Sequence, residues 1–245
     1  MMRGRVLLAL MAVASAAPVS ASPISQAADG AQAALVAEGE RWWTSSPDPE
    51  QPVACRTCHH DPARTRGWAA SFPKFVALPP PDGRVMTLLQ ATARAVRRHY
   101  GLADPERPAI AIATFLAAEG AGLPLSPGIA AGQPAFEARL RALAASVVRG
   151  RTLYARRCGS CHDAAAVAPA AFGFPRVVDR RAESLERFLE GHRPIGRPLG
   201  WDSPATADLI TFLVSILAGP RVGPDASTNA GSSLVPPPRP HSPLR

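Results

Sequence analysis

Lysine is nearly missing from this 245-residue chain: Lys74 is the only one among 27 basic side chains, so arginine supplies the other 26 (27 − 1). The arginines are scattered instead of clustered with aromatics, which make up only 6% of the residues, and this excludes a basic, aromatic-rich nucleic-acid surface. Residues 30 to 120 carry ten basic and nine acidic side chains, and residues 149 to 220 carry ten and seven, so neither half offers much electrostatic steering. Long apolar runs are also missing. Beyond the N-terminal segment no stretch supplies the roughly 20 apolar residues of a membrane-spanning helix. Of the four methionines, Met1, Met2 and Met11 lie in that segment and only Met86 follows it. The four cysteines all fall in two short runs, and none is left over.

The N-terminus reads MMRGRVLLALMAVASAAPVSASPIS. Arg3 and Arg5 precede an apolar run from Val6 to Ala14 and then small residues, the pattern of a secretory signal peptide over residues 1–21. The triplet Val19-Ser20-Ala21 is the expected cleavage site and Ala14-Ser15-Ala16 the rival. An uncleaved anchor is the other reading of the same run, which is too short to span a bilayer unaided. The mature chain is expected to be soluble and periplasmic, with no membrane span and a net charge of 25 − 19, or +6, once Arg3 and Arg5 are removed.

The cysteine runs are CRTCHH at 55–60 and CGSCH at 158–162. Four cysteines in an exported chain could form two disulfides, with three possible connectivities. A structural zinc could gather Cys55, Cys58, Cys158 and Cys161, and a redox dithiol would sit in a strand-rich βαβ setting. The histidine that ends each run favours a different chemistry. Cys-x-x-Cys-His is the attachment pattern of c-type haem, in which two thiols form thioether links and the adjacent imidazole meets the iron. Cys55 and Cys58 with His59, and Cys158 and Cys161 with His162, therefore predict two covalently attached haem c groups. His60 would have to cross the porphyrin plane to serve as a second ligand, so it is expected to face solvent or a propionate.

Methionine and histidine are the ordinary candidates for a sixth iron ligand. The second half has no methionine, and its candidate is His192, 30 residues after His162. The first half offers His99, which holds the corresponding place in its half, and Met86, which could equally be core. An open or otherwise ligated first iron is the third possibility.

The patterning predicts an all-α fold of two tandem cytochrome c-like haem domains, residues 30–120 and 136–220, joined by a Gly/Pro-rich linker at 121–135. A Pro/Ser-rich tail over 221–245, with six prolines, is expected to be disordered. Helices are expected near 31–41, Val85–Tyr100, Arg107–Glu119, Phe136–Arg157, Ala182–Gly191 and Pro204–Leu217. Each half runs from a helix to Cys-x-x-Cys-His, a loop, a short helix, a histidine, a proline-containing turn and an apolar helix. ATFL starts 14 residues after His99 and ITFL 18 after His192, which supports a tandem repeat. Such small modules bury too little on their own, and an enclosed haem would supply the missing core.

The segments CRTCHHDPARTRGWAASFPKF, VMTLLQATARAVRRHYG, TLYARRCGSCHDAA, GFPRVV and SLERFLEGH resemble the diheme class I c-type cytochromes of bacterial periplasms. They are similar in particular to the two domains of the haem-bearing A subunit of the thiosulfate-oxidising complex, over about residues 35–218. In that subunit the distal ligands are typically cysteines, the catalytic one chemically modified; His99 and His192 stand at the matching positions here. The resemblance, with histidine at both places, implies a carrier of single electrons between redox protein partners. The alternative is a haem oxidoreductase acting on a reduced sulfur compound such as thiosulfate, or an electron-transfer subunit of such a complex.

Overall fold

A computed structural model describes residues 23–50, 52–76, 83–127, 137–167, 176–178, 181–192 and 196–217. The expected signal peptide, residues 128–135 of the linker and the tail lie outside the described residues. The first half contains α1 (Pro23–Thr44), α2 (Cys55–Cys58), α3 (Pro62–Thr65), a 3-10 turn (Ala69–Ser71), β1 (Lys74–Val76), β2 (Arg84–Met86), α4 (Leu88–Tyr100) and α5 (Glu106–Glu119). The second contains α6 (Glu137–Arg157), α7 (Ala164–Val167), β3 (Arg176–Val178), β4 (Arg181–Glu183), α8 (Leu185–Gly191) and α9 (Pro204–Ser215). The fold is mostly helical. Its order recurs: a long helix, a cysteine motif, a short helix, a two-stranded hairpin and two helices. Among the described residues no helix is long and apolar enough to cross a membrane.

The hairpins correct the expected helix starts. Arg84–Met86 pairs antiparallel with Lys74–Val76, so Val85 is a strand residue and the helix begins only at Leu88. The start is fixed by a capping box: the Thr87 hydroxyl accepts from Gln90 N, and the Gln90 side chain accepts from Thr87 N. Likewise Arg181–Glu183 pairs with Arg176–Val178, and Ser184 caps a helix that starts at Leu185 instead of Ala182. At the other end of α4, Gly101 takes a left-handed conformation with φ 66°, which ends the helix at little steric cost.

The recurring unit is a helix crossing made at glycine. A Cβ on Gly39 of α1 would lie 2.0 Å from the carbonyl oxygen of Ala111 and 2.7 Å from the Phe115 Cβ of α5. A Cβ on Gly150 of α6 would lie 2.0 Å from the carbonyl oxygen of Asp208 and 2.8 Å from the Phe212 Cβ of α9. Four residues after each glycine comes a buried aromatic, Trp43 or Tyr154, one turn along the same helix face. Trp43 meets Phe115 at 6.1 Å between ring centres and Tyr154 meets Phe212 at 5.6 Å. Thr114 and Thr211 are buried in the same way, each donating its hydroxyl to the carbonyl four residues back at 2.7 Å.

As the inner members of these crossings, α5 and α9 are buried over most of their length and largely apolar. The crossings are not identical. Where α5 has Ala111, α9 has the buried Asp208, which accepts from Ser146 Oγ at 2.6 Å and from Arg149 Nε and Nη2 at 2.7 and 2.8 Å.

Replacing an ordinary helical glycine by alanine stabilises by up to about 1 kcal/mol. Gly39→Ala and Gly150→Ala should do the opposite, since the added methyl meets backbone, and overpacking of this kind costs about 1–3 kcal/mol. Urea unfolding of each variant checks the sign.

Candidate metal centres

Both cysteine motifs fold as one helical turn. His59 N donates to Cys55 O at 2.9 Å and His162 N donates to Cys158 O at 3.0 Å. The i, i+4 spacing places the first cysteine and the histidine of each motif on one face. All four thiols are unbridged; Cys55 and Cys158 are half-buried, Cys58 and Cys161 exposed. Among the described residues no three His, Cys, Asp or Glu side chains converge as a metal-holding cluster, so the four cysteines are not gathered at one place.

At the first motif Tyr100, the last residue of α4, ties the turn to α1. Its hydroxyl donates to Trp42 O at 2.6 Å, accepts from Cys55 N at 3.2 Å and lies 3.2 Å from Cys55 Sγ. Burial pushes the Cys55 thiol pKa up, as it does the Tyr100 hydroxyl. The His59 ring meets Trp68 edge-on at 4.8 Å and stacks on Trp43 at 6.0 Å. Burial lowers the His59 pKa, and the charge of His99 lowers it further. A neutral imidazole is the form that ligates a metal.

These residues open onto a cavity of about 270 Å³ walled by Trp43, Val96, Ile112 and Leu116. Cys55, Cys58, His59 and His99 all line it, so the structure brings the first motif and its expected distal histidine to one space. Met86 is not among the lining residues. It is 1% exposed, on β2. His60 is exposed.

At the second motif the turn continues directly from α6, and the Tyr154 hydroxyl donates to His162 O at 3.0 Å. His192 caps the C-terminus of α8, its ring stacked on Phe188 at 4.8 Å. The His162 and His192 ring centres are 5.7 Å apart. A metal bound to imidazole sits about 2 Å from the nitrogen, so rings this close are within reach of one shared metal atom. Paired thiols, two imidazoles and apolar walls are the donor set and surroundings that a haem with two axial histidines requires, and the residues present fit that group.

The helix carrying His192 is anchored in the first half of the chain. Arg187 forks both oxygens of Glu106, at the start of α5, and also pairs with Glu190. Gln90, fully buried, donates from Nε2 to the carbonyls of Trp201 and Ser203, at 3.0 Å each. Asp202 pairs with Arg84 at 3.2 Å and with Arg97 at 3.7 Å. Glu186 is buried between Ser184 and the Thr87 hydroxyl, and its burial raises the carboxyl pKa.

Sequence reasoning missed several supporting residues: Trp43 and Trp68 against His59, Phe188 against His192, Tyr100 on the thiol, and Lys74 on the cavity wall. For Trp43 the available signal was the stretch GERWW, matched by GRTLY in the second half, which places an aromatic four residues after a glycine in both.

Because burial raises the Glu186 pKa, the folded chain holds that proton more tightly than the unfolded chain, whose glutamates titrate near about 4.3. The sign follows. Stability from this group is greatest below the unfolded value and falls as pH rises through the folded one. Glu186→Gln, which keeps an acceptor for Thr87 and needs no proton, should unfold at higher temperature than wild type at pH 7, and the difference should shrink towards pH 4. Thermal melts across pH measure it.

No family model matches the chain, and no curated protein matches it. Among solved structures it is similar to a chain of the crystal structure of SoxXA from P. pantotrophus, with a TM-score of 0.60 and 18% sequence identity. The alignment covers 79% of this chain and 77% of that one. At that identity the likeness is one of fold, and the chain has a mostly helical, c-type cytochrome-like fold.

Proposed function

We propose that this chain is an exported, periplasmic two-haem c-type cytochrome that passes single electrons between redox proteins. The observation that carries the proposal is the facing pair His162 and His192, 5.7 Å apart beside a Cys-x-x-Cys turn. The recurring element order and the paired glycine crossings support two tandem haem domains, over about 30–120 and 136–220.

In each domain two cysteines would hold the cofactor covalently: Cys55 and Cys58 in the first, Cys158 and Cys161 in the second. His59 and His162 would be the proximal ligands, with His99 and His192 distal. Haem supplies one-electron redox chemistry when bound. The chain's own contribution is to hold the imidazoles in place. Trp43 and Trp68 fix the His59 ring, Phe188 fixes that of His192, and Tyr100 clamps the Cys55 turn.

Two histidines held at each group would leave no open position for a substrate, which suits electron transfer over catalysis. The resemblance in sequence and the fold of SoxXA keep a sulfur-compound oxidoreductase as the second reading. Such an enzyme would need a distal histidine to yield its place.

The full chain should carry two haems and give low-spin six-coordinate spectra in both oxidation states. His192→Ala should convert one haem to a high-spin form with the other unchanged. An unchanged spectrum removes His192 from the ligand set. A wild-type ferrous haem that readily binds carbon monoxide would transfer support to the oxidoreductase, to be assayed as turnover of thiosulfate with an artificial acceptor.

A further inference from the structure

Lys74, the chain's single lysine, lines the first cavity together with Cys55, Cys58, His59 and His99. Among the described lining residues it is the one lysine or arginine, and none is aspartate or glutamate. Its position is fixed from two sides. The β1–β2 pairing sets Lys74 opposite Met86, and the Lys74 ammonium donates to Ser71 Oγ at 3.1 Å. Ser71 is itself 1% exposed and donates to Trp68 O at 2.7 Å, so its oxygen is turned towards the lysine. The ammonium also lies 4.3 Å from the centre of the Phe72 ring.

A hydroxyl and a ring face are neutral partners. An ammonium has three N–H donors, and burying its charge without an anion is costly. The cost is visible in the pKa, which burial lowers to about 8, with the nearby Arg139 charge acting in the same direction.

We propose that Lys74 receives an anionic oxygen group of the ligand that occupies the first cavity. On the haem reading above, from which this inference follows, the group is a carboxylate of the haem; a free inorganic oxyanion is the other source of the same chemistry.

The test uses the full-length haem-loaded protein, with Lys74→Met and Lys74→Arg beside wild type. Redox titration gives the midpoint potentials, and sulfate is the probe for a free oxyanion. Removing a cation from beside the cofactor disfavours the reduced form. Lys74→Met should therefore lower one midpoint potential, by an amount equal to about a tenfold change in that haem's reduction equilibrium. Lys74→Arg should restore most of it. If sulfate changes nothing, the haem carboxylate is the source. A saturable sulfate effect on wild type that Lys74→Met abolishes identifies a free oxyanion. Unchanged potentials in Lys74→Met, with no sulfate effect, overturn the proposal.

One arm needs no substitution. A fall in a wild-type midpoint potential centred near pH 8 would mean that the amine loses its proton with no anion beside it, and also overturns the proposal. Absence of any haem would defeat the functional reading alone. Sulfate titration followed by tryptophan fluorescence, from Trp43 and Trp68 on the cavity wall, then decides the role of Lys74, with loss of the response in Lys74→Met as support and no response in wild type as refutation.

Discussion

The rest of the fold depends on backbone-to-backbone contact between helices at Gly39 and Gly150. With no side chain there, α1 can lie directly on α5, and α6 on α9. One turn beyond each glycine, Trp43 and Tyr154 are then carried into the core, where each meets a phenylalanine of the crossing helix. Each aromatic goes on to support a motif. Trp43 stacks on His59, and Tyr154 donates to the carbonyl of His162. The crossings therefore locate the imidazoles as well as packing the core, although neither glycine is near a cysteine motif's chemistry.

A second constraint joins the halves. α4 ends in the His99–Tyr100 pair, and its first turn holds the 201–203 loop through Gln90. α8 is capped at its C-terminus by His192, and its own first turn is seated against Thr87 and Glu106. The two helices that end at His99 and His192 are thus fastened at their opposite ends to one polar cluster. Part of that cluster is desolvated, as at Gln90 and Glu186, where every hydrogen bond matters because an unmet polar group is costly. Around it lies apolar surface, with Trp201 packed against the cluster containing Leu89, Ala93 and Ile110.

Much of this was legible in the sequence because it follows from spacing. Cys-x-x-Cys-His spacing is the geometry of a helical turn, and both motifs fold as one. The apolar helices α5 and α9 announced themselves through ATFL and ITFL. The hairpins did not, because strands of three residues are too short to show alternation, and Val85 and Met86 fall in phase with the helix that follows. The capping box at Thr87 and Gln90 would have placed that helix start correctly. Lys74 was visible as a count of one, but its meaning depends on the cavity. Only the fold shows that the lysine, the thiols of the first motif and His99, which are scattered over 45 residues (99 − 55 + 1), share a wall.

Gln90 serves both halves with one side chain. Its Oε1 accepts from Thr87 N and so sets the start of its own helix, while its Nε2 donates to the carbonyls of Trp201 and Ser203 in the second half. The residue that fixes where α4 begins is therefore also the one that holds the 201–203 loop, so a substitution there would disturb the ends of two helices at once.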